Sequence, residues 1–369
     1  MYVCPGGIDP HTHMDLQQSP QYRACDDFYS GGAAAACGGT TTIIDHMAFG
    51  PEGCSLRYPF EQYKLLAETC PIDYSFHGVF QHVDEAVLRE LSELIEEGFP
   101  SFKAYTTYGY PMGDADLMRI LPVMKSHGGL LTVHAESDGM TNYLRQALSP
   151  DELSPIGQAR TRPNEAEASA VSAVLSAARV CGDAPVYIVH TSAHESVDRI
   201  CLSRQEGQRN VYAETCPQYL LLTEDKFTEG GPLEGIKYMM APPLRKKVDN
   251  DALWQALRDG TVQVVATDHC PFTVEEKQAH AADFRSCPGG VSGVEERMPL
   301  LFSEGVVKGR LSISQFVRVT STNAAKIFGL YPKKGTLLPG SDADIVLIDP
   351  SRKRTIRKDN LHTTCGYSP

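Results

Sequence analysis

The sequence predicts an α/β protein, a (β/α)8 barrel of the TIM type with an incomplete β-sandwich domain attached. Three observations predict it. Eight short β-rich apolar runs recur along the chain, helical stretches with one apolar face separate them, and nearly every run closes on a polar residue. Strands alternating with amphipathic helices imply βα units and a parallel sheet. Eight such units in about 300 residues fit a closed barrel.

The runs are 7–13 (GIDPHTH), 40–46 (TTTIIDH), 73–80 (DYSFHGVF), 101–108 (SFKAYTTY), 129–136 (GLLTVHAE), 184–192 (APVYIVHTS), 210–216 (NVYAETC) and 262–270 (VQVVATDHC). Between them, 84–98 and 164–180 carry the clearest helical patterns. A further helical segment, 312–329, leads into a different texture: 334–350 alternates short strand-like pieces with turn residues, as sandwich sheets do. Residues 1–330 are therefore expected to form the barrel. Residues 331–369 are expected to form part of a sandwich, too short to complete two sheets.

Composition narrows the class. The 369 residues carry 34 Lys and Arg against 46 Asp and Glu, a net charge of −12, which argues against a nucleic-acid binder. With 42% hydrophobic and 22% charged residues the chain is globular. No apolar run is long enough for a membrane span, and the start lacks the basic and apolar regions of a signal peptide. Eleven cysteines without a CxxC pair read as reduced thiols of a cytoplasmic enzyme.

The run ends carry His11, His13, His46, His77, Lys103, His134, His190, Glu214 and Asp268. Active sites of such barrels occupy that end of the strands, so these groups converge on one mouth. His11 and His13 lie two apart on a strand, face the same way and can share an ion, although the pair alone is also a common core pattern. His134 and His190 each close an apolar run. Singly, each is more often a hydrogen-bonded core histidine, but two matched placements point to metal. Asp268 reads as a cap of the next helix or as a ligand that also moves protons. Lys103, between Phe102 and Ala104, must be paired or must reach water. The sharper reading is that its amine has taken up CO2, giving an anionic carbamate whose two oxygens bridge two cations. Four His, one Lys and one Asp make a shell for two divalent ions. Zinc suits the donor set, and manganese and cobalt accept similar geometry.

The stretches PGGIDPHTHMDL, CDDFYSGGAAAACGGTTTIIDHM, SFKAYTTY, TVHAES, YIVHTSA, ETCPQYLLL, PPLR, VVATDHCPF and PGSDADIVLIDP resemble the amidohydrolase superfamily. Within it the chain is similar to the hydantoinase/dihydropyrimidinase family, in detail to its bacterial D-phenylhydantoinase branch, from Pro5 to about Pro369. The resemblance implies hydrolysis of 5-monosubstituted hydantoins to N-carbamoyl amino acids by a hydroxide bridging two metal ions. It implies that His11 and His13 bind one ion and that His134 and His190 bind the other. Lys103 would be the bridging N6-carboxylysine, and Asp268 would ligate and act as general base. Tyr108 would hydrogen-bond the oxyanion, with Tyr105 and Tyr110 near enough for a slip of register. Substrate contacts would fall at Ala241, where a serine is usual, and at Gly289, where an asparagine is usual. A small cyclic ureide is the implied partner, and a homo-oligomer, commonly a tetramer, the implied assembly.

Family members begin with a further stretch that builds half of the sandwich and continue past this C-terminus, so the resemblance suggests a truncated chain. Related activities are dihydropyrimidinase and allantoinase. A dihydroorotase carries an arginine two residues after the HxH pair to hold a carboxylate, and Asp15 stands there instead. Two non-catalytic readings are a scaffold protein of the same fold, against which every ligand position is occupied, and an inactive truncated hydrolase.

Overall fold

The computed structural model describes residues 1–369. Strand β1 (Tyr2–Pro5) precedes the barrel strands β2 (Gly7–Thr12), β3 (Thr40–His46), β4 (Asp73–Val79), β5 (Ser101–Tyr105), β6 (Leu130–His134), β7 (Val186–Ile188), β8 (Val211–Thr215) and β9 (Val264–Val265). These eight form one parallel sheet in chain order, β2 to β9. All eight expected runs contain strands; β3 matches its run, while the others are shorter, most of all β7 and β9, whose polar ends belong to the site loops.

Parallel neighbours need crossovers, and helices supply them. The helix Glu85–Glu96 shows why the sequence folds so. Asp84 caps it by accepting from the N–H groups of Ala86 at 2.9 Å and Val87 at 2.8 Å. Its buried residues Val87, Leu91, Leu94 and Ile95 repeat at helical spacing and face the sheet. Asn164–Val180, the longest helix, begins with Glu165 and Glu167 and is largely alanine on its buried face, so it packs close to the barrel.

The barrel closes between β9 and β2. The N–H of Asp268 donates to the carbonyl of His11, and that of His13 to the carbonyl of His269, each at 2.9 Å. Two buried charged residues pin the same seam. The guanidinium of Arg297 donates to the carbonyls of Ile8 at 3.0 Å and Val265 at 2.9 Å. The carboxylate of Asp9 accepts from Thr267 Oγ1 at 2.6 Å.

β1 does not join the barrel. It pairs antiparallel with β10 (Ile345–Ile348), so the small sheet takes one strand from each end of the chain. Within 334–350, β10 is the only strand. The turn before it is held by Lys334, whose ammonium meets Asp73, Asp342 at 3.0 Å and Asp344 at 2.8 Å. No helix is long and apolar enough to cross a membrane.

Candidate functional site

A cavity of about 800 Å³ opens at the C-terminal ends of the barrel strands. His11, His13, Lys103, Tyr108, His134, His190, Ala241, Asp268 and Gly289, every site position expected from sequence, line it.

β2 presents His11 and His13 so that the Nε2 atoms of both rings lie 3.1 Å from the same oxygen, Oδ1 of Asp268. Thr12, between them, faces away and donates to Asp45 at 2.7 Å, which also accepts from the N–H of Met14 at 2.8 Å. That lock fixes the alternation that turns both imidazoles inward. The Nδ1 of His11 is held by Glu214, which also accepts from Tyr187 at 2.8 Å and from the N–H of His190 at 3.1 Å. One buried carboxylate thus orients ligand candidates on two strands.

On the opposite wall, Nδ1 of His134 and Nε2 of His190 lie 2.8 Å apart. The remaining nitrogen of His134 is held by Glu136 at 2.7 Å, and Glu136 is paired with Arg162. Lys103 lines the same cavity, 1% exposed, with its ammonium 5.1 Å from the centroid of the Tyr105 ring. Burial lowers its pKa to about 8, despite Asp268 and Glu214 nearby.

Electrostatics suit ligation. Burial holds His190 and His46 well below the usual histidine range and also lowers His13 and His134. For His11, burial and Lys103 are outweighed by Glu214 and Asp268, which raise it. Burial opposes ionisation of Asp268, but His11 and His13 hold it well below the carboxylate range.

The backbone marks the same residues. Five non-glycine residues have positive φ, and three of them are Tyr108 (74°), His190 (36°) and Asp268 (56°). Such conformations cost of order 1–3 kcal/mol each and persist where the surroundings enforce them. Tyr108 is 42% exposed, and its ring lies 4.9 Å from that of His134 and 5.3 Å below the Arg162 guanidinium. Tyr105 is second nearest, at 5.7 Å from His134, while Tyr110 turns out to Phe49.

Three of the run-end groups lie beneath the cavity instead of on its wall. His77 is fully engaged, with Ser101 at 2.7 Å and the carbonyl of Pro10 at 2.9 Å. His46 stacks on it at 4.2 Å, and Glu214 supports His11. Sequence reasoning gave no role to Glu136 or Arg162, although the HxE spacing from His134 to Glu136 was a usable signal. Ala241 has both backbone groups free of protein partners. At Gly289 the carbonyl accepts from Gln18 at 2.7 Å and the N–H donates to Gln18 at 3.1 Å.

The donor set fits a pair of divalent ions. Imidazole nitrogens converge in two pairs, three of the four rings favouring the neutral form, an ionised carboxylate serves one pair, and a buried amine lines the same cavity. In the free protein Nε2 of His11, Nδ1 of His13 and Nδ1 of His190 are buried without a hydrogen-bond partner.

Comparison with known proteins gives a consistent picture. The Amidohydrolase family profile matches residues 2–365. A D-phenylhydantoinase of Escherichia coli O1:K1 is 46% identical over 372 residues, which is 100% of this chain and 79% of the relative. The crystal structure of a dihydropyrimidinase from Brevibacillus agri NCHU1002 superposes with a TM-score of 0.96 at 42% identity, covering 100% of this chain and 80% of that one. A D-hydantoinase from Bacillus sp. AR9 gives 0.96 at 41% identity with the same coverage.

Proposed function

The chain belongs to the amidohydrolase family, and on that premise we propose that it opens 5-monosubstituted hydantoins to N-carbamoyl amino acids at a binuclear metal site. It is a hydrolase of carbon–nitrogen bonds in cyclic amides, of the hydantoinase and dihydropyrimidinase type. The observation that carries the finer reading is the convergence of His11 and His13 on Asp268 and the pairing of His134 with His190, whose ring stacks on that of His11 at 5.3 Å, in a cavity that Lys103 also lines.

In this reading His11 and His13 hold one ion and His134 and His190 the other, with zinc the preferred metal. Lys103 would hold the metals as a carbamate, formed when its amine adds to CO2 and loses a proton; its lowered pKa makes the neutral amine accessible near neutral pH. When bound, two divalent ions supply a nucleophile at neutral pH and polarise the ring carbonyl. Asp268 accepts the proton released as the carbonyl is attacked and returns it to the ring nitrogen as the C–N bond breaks. The Tyr108 phenol, protonated at neutral pH as phenols are, donates to the oxygen on which negative charge gathers. Ala241 and Gly289 offer backbone groups to the amide edge of the ring.

The same reading gives residues 1–330 to the catalytic barrel, except that β1 joins β10 in the small sheet, gives 331–369 to a sandwich portion, and makes the protein a homotetramer. Eleven free thiols support a cytoplasmic setting.

The deciding experiment is metal analysis of gel-filtered protein expressed with zinc and bicarbonate, with turnover compared on 5-phenylhydantoin, dihydrouracil and allantoin. About two ions per chain and a preference for the hydantoin are expected. A well-folded chain that holds no metal overturns the binuclear site, and a preference for dihydrouracil moves the assignment to dihydropyrimidinase.

A further inference from the structure

The cavity wall carries the opposite charge to the chain. The protein has a net charge of −12, yet Lys103, Arg145, Arg162 and Arg285 line the cavity against one carboxylate, Asp268. Lys103 belongs to the metal-site floor. Arg162 is paired with the buried Glu136. Arg285 is held by Asp283 through Nε at 2.9 Å and Nη2 at 2.7 Å.

Arg145 has no acidic partner. It stands in the last turn of the helix Asp138–Ala147 and is half-buried. Its guanidinium lies over the ring of Phe284, 5.8 Å from the centroid, and gives one N–H to the carbonyl of Arg285. These two contacts hold the guanidinium at the cavity wall, where it makes no other hydrogen bond to the protein. The nearest carboxylate, Asp283, already has both oxygens engaged by Arg285. Burial, with Arg162 and Arg285 close by, makes an uncompensated charge there unfavourable, and Tyr108 lies within its field. A half-buried guanidinium on a cavity wall, beside two other cations and without an acidic partner, fits a carboxylate.

Asp15, standing where a dihydroorotase carries its carboxylate-binding arginine, disfavours a negative charge on the ring. Asp15 is paired with Arg23 at 2.8 Å, and it is not on the cavity wall. It places no limit on a charge carried away from the ring.

We propose that Arg145 is a specificity-determining residue that receives a carboxylate borne on the C5 substituent, so that the preferred substrates are cyclic ureides of acidic amino acids. This rests on the hydantoinase reading of the same cavity. A ring beside Tyr108 extends its arm along the wall to Arg145, where a bidentate pair forms.

The test compares 5-(2-carboxyethyl)hydantoin with its neutral carboxamide isostere, in the native protein and in Arg145→Gln and Arg145→Lys. The native protein is expected to favour the carboxylate by about 10- to 100-fold in kcat/KM, mostly through KM, the worth of a hydrogen bond to a charged group. Arg145→Gln is expected to bring that ratio near one, and Arg145→Lys, which keeps charge but loses the fork, to leave it intermediate. A native ratio of one or less, or a ratio that Arg145→Gln leaves standing, overturns the proposal. Unsubstituted hydantoin tests the hydrolase reading separately. If no ring is opened, that reading fails, and calorimetric affinities of the same two ureides for the native and Arg145→Gln proteins still decide whether Arg145 binds the carboxylate.

Discussion

Nδ1 of His134 faces Nε2 of His190 at 2.8 Å, while its other nitrogen is held by Glu136 at 2.7 Å. The ring therefore has one nitrogen committed to structure and one to its partner histidine, which fixes both its plane and its tautomer. Glu136 is in turn fixed by Arg162, whose guanidinium lies over Tyr108. One chain of contacts joins the His134/His190 pair to the candidate oxyanion donor.

Glu136→Ala is expected to weaken metal affinity at the His134/His190 position by about 10- to 100-fold. Competition with a chromophoric chelator would measure this, with the His11/His13 position as internal control. Equal loss at both positions would instead indicate general disruption of the barrel mouth, and no loss would remove Glu136 from the support of His134.

Lys103→Ala is expected to abolish turnover and the paired occupancy of the metal site, since a methyl group cannot replace a two-oxygen bridge. In the native protein, reconstitution of metal-stripped enzyme is expected to speed up with added bicarbonate. Mass spectrometry under native conditions should show the mass of CO2 on the metal-loaded chain and not on Lys103→Ala. Full activity of the variant would end the carbamate reading.

Tyr108→Phe keeps the ring beneath Arg162 and removes only the hydroxyl. If that hydroxyl meets charge that develops during reaction, kcat should fall by about 10²–10³-fold with KM little changed. A rise in KM at constant kcat would make Tyr108 a binding residue, and the same loss in Tyr105→Phe would show that the neighbouring phenol acts.

Much of this was legible in the sequence, for physical reasons that differ by element. A buried parallel strand is an apolar run, and a barrel puts its chemistry where each run stops, so His134, His190 and Asp268 could be located by local pattern alone. The helix Asn164–Val180 agrees with its expected bounds because its alanine-rich face and acidic first turn are both local signals. The closure of the barrel was not legible. Arg297 reaches Ile8 across 289 residues and His11 reaches Glu214 across 203, and no local pattern encodes such pairs. The histidines were overcounted at the mouth, because His46 and His77 also end or interrupt apolar runs yet stack below the cavity floor. The stretch 334–350 looked richer in strand than it is. Its turn is fixed by Lys334 among three aspartates, and Asp73 of that trio is remote in sequence.

Asp26 ties the C-terminal segment to the site. Its buried carboxylate accepts from Thr363 Oγ1 at 2.6 Å, from the Thr364 N–H at 2.8 Å and from His269 at 3.1 Å. Burial opposes ionisation, but His269 and the threonine donors bring the pKa down from 3.8 to about 2. A depressed acid contributes stability that is complete above its unfolded value and lost as pH falls through the folded one. The contribution is about 2 kcal/mol, present above about pH 4 and gone near pH 2. Asp26→Asn should cost that much in chemical denaturation at pH 5, where the Asp26 carboxylate is ionised. The native and variant stabilities should converge as the pH approaches 2. A gap that persists there would assign the effect to packing.

Gln18 presents a planar carboxamide edge to the backbone of Gly289, giving an N–H to its carbonyl at 2.7 Å and taking its N–H at 3.1 Å. A cyclic ureide offers the same edge, an N–H beside a C=O. If Gly289 contacts substrate, the ring must displace Gln18, and the free protein binds its own side chain in the place of the ring. Two neutral hydrogen bonds are worth about 1–3 kcal/mol in all. Gln18→Ala should therefore lower KM for small hydantoins several-fold while kcat, set by the metal-site residues and Tyr108, changes little. The comparison needs an unsubstituted ring, since Gln18 and Arg145 line the same cavity and a long C5 arm would mix the two effects. An increase in KM would show the opposite, that Gln18 holds the Gly289 loop in its binding form and that the ring is recognised elsewhere.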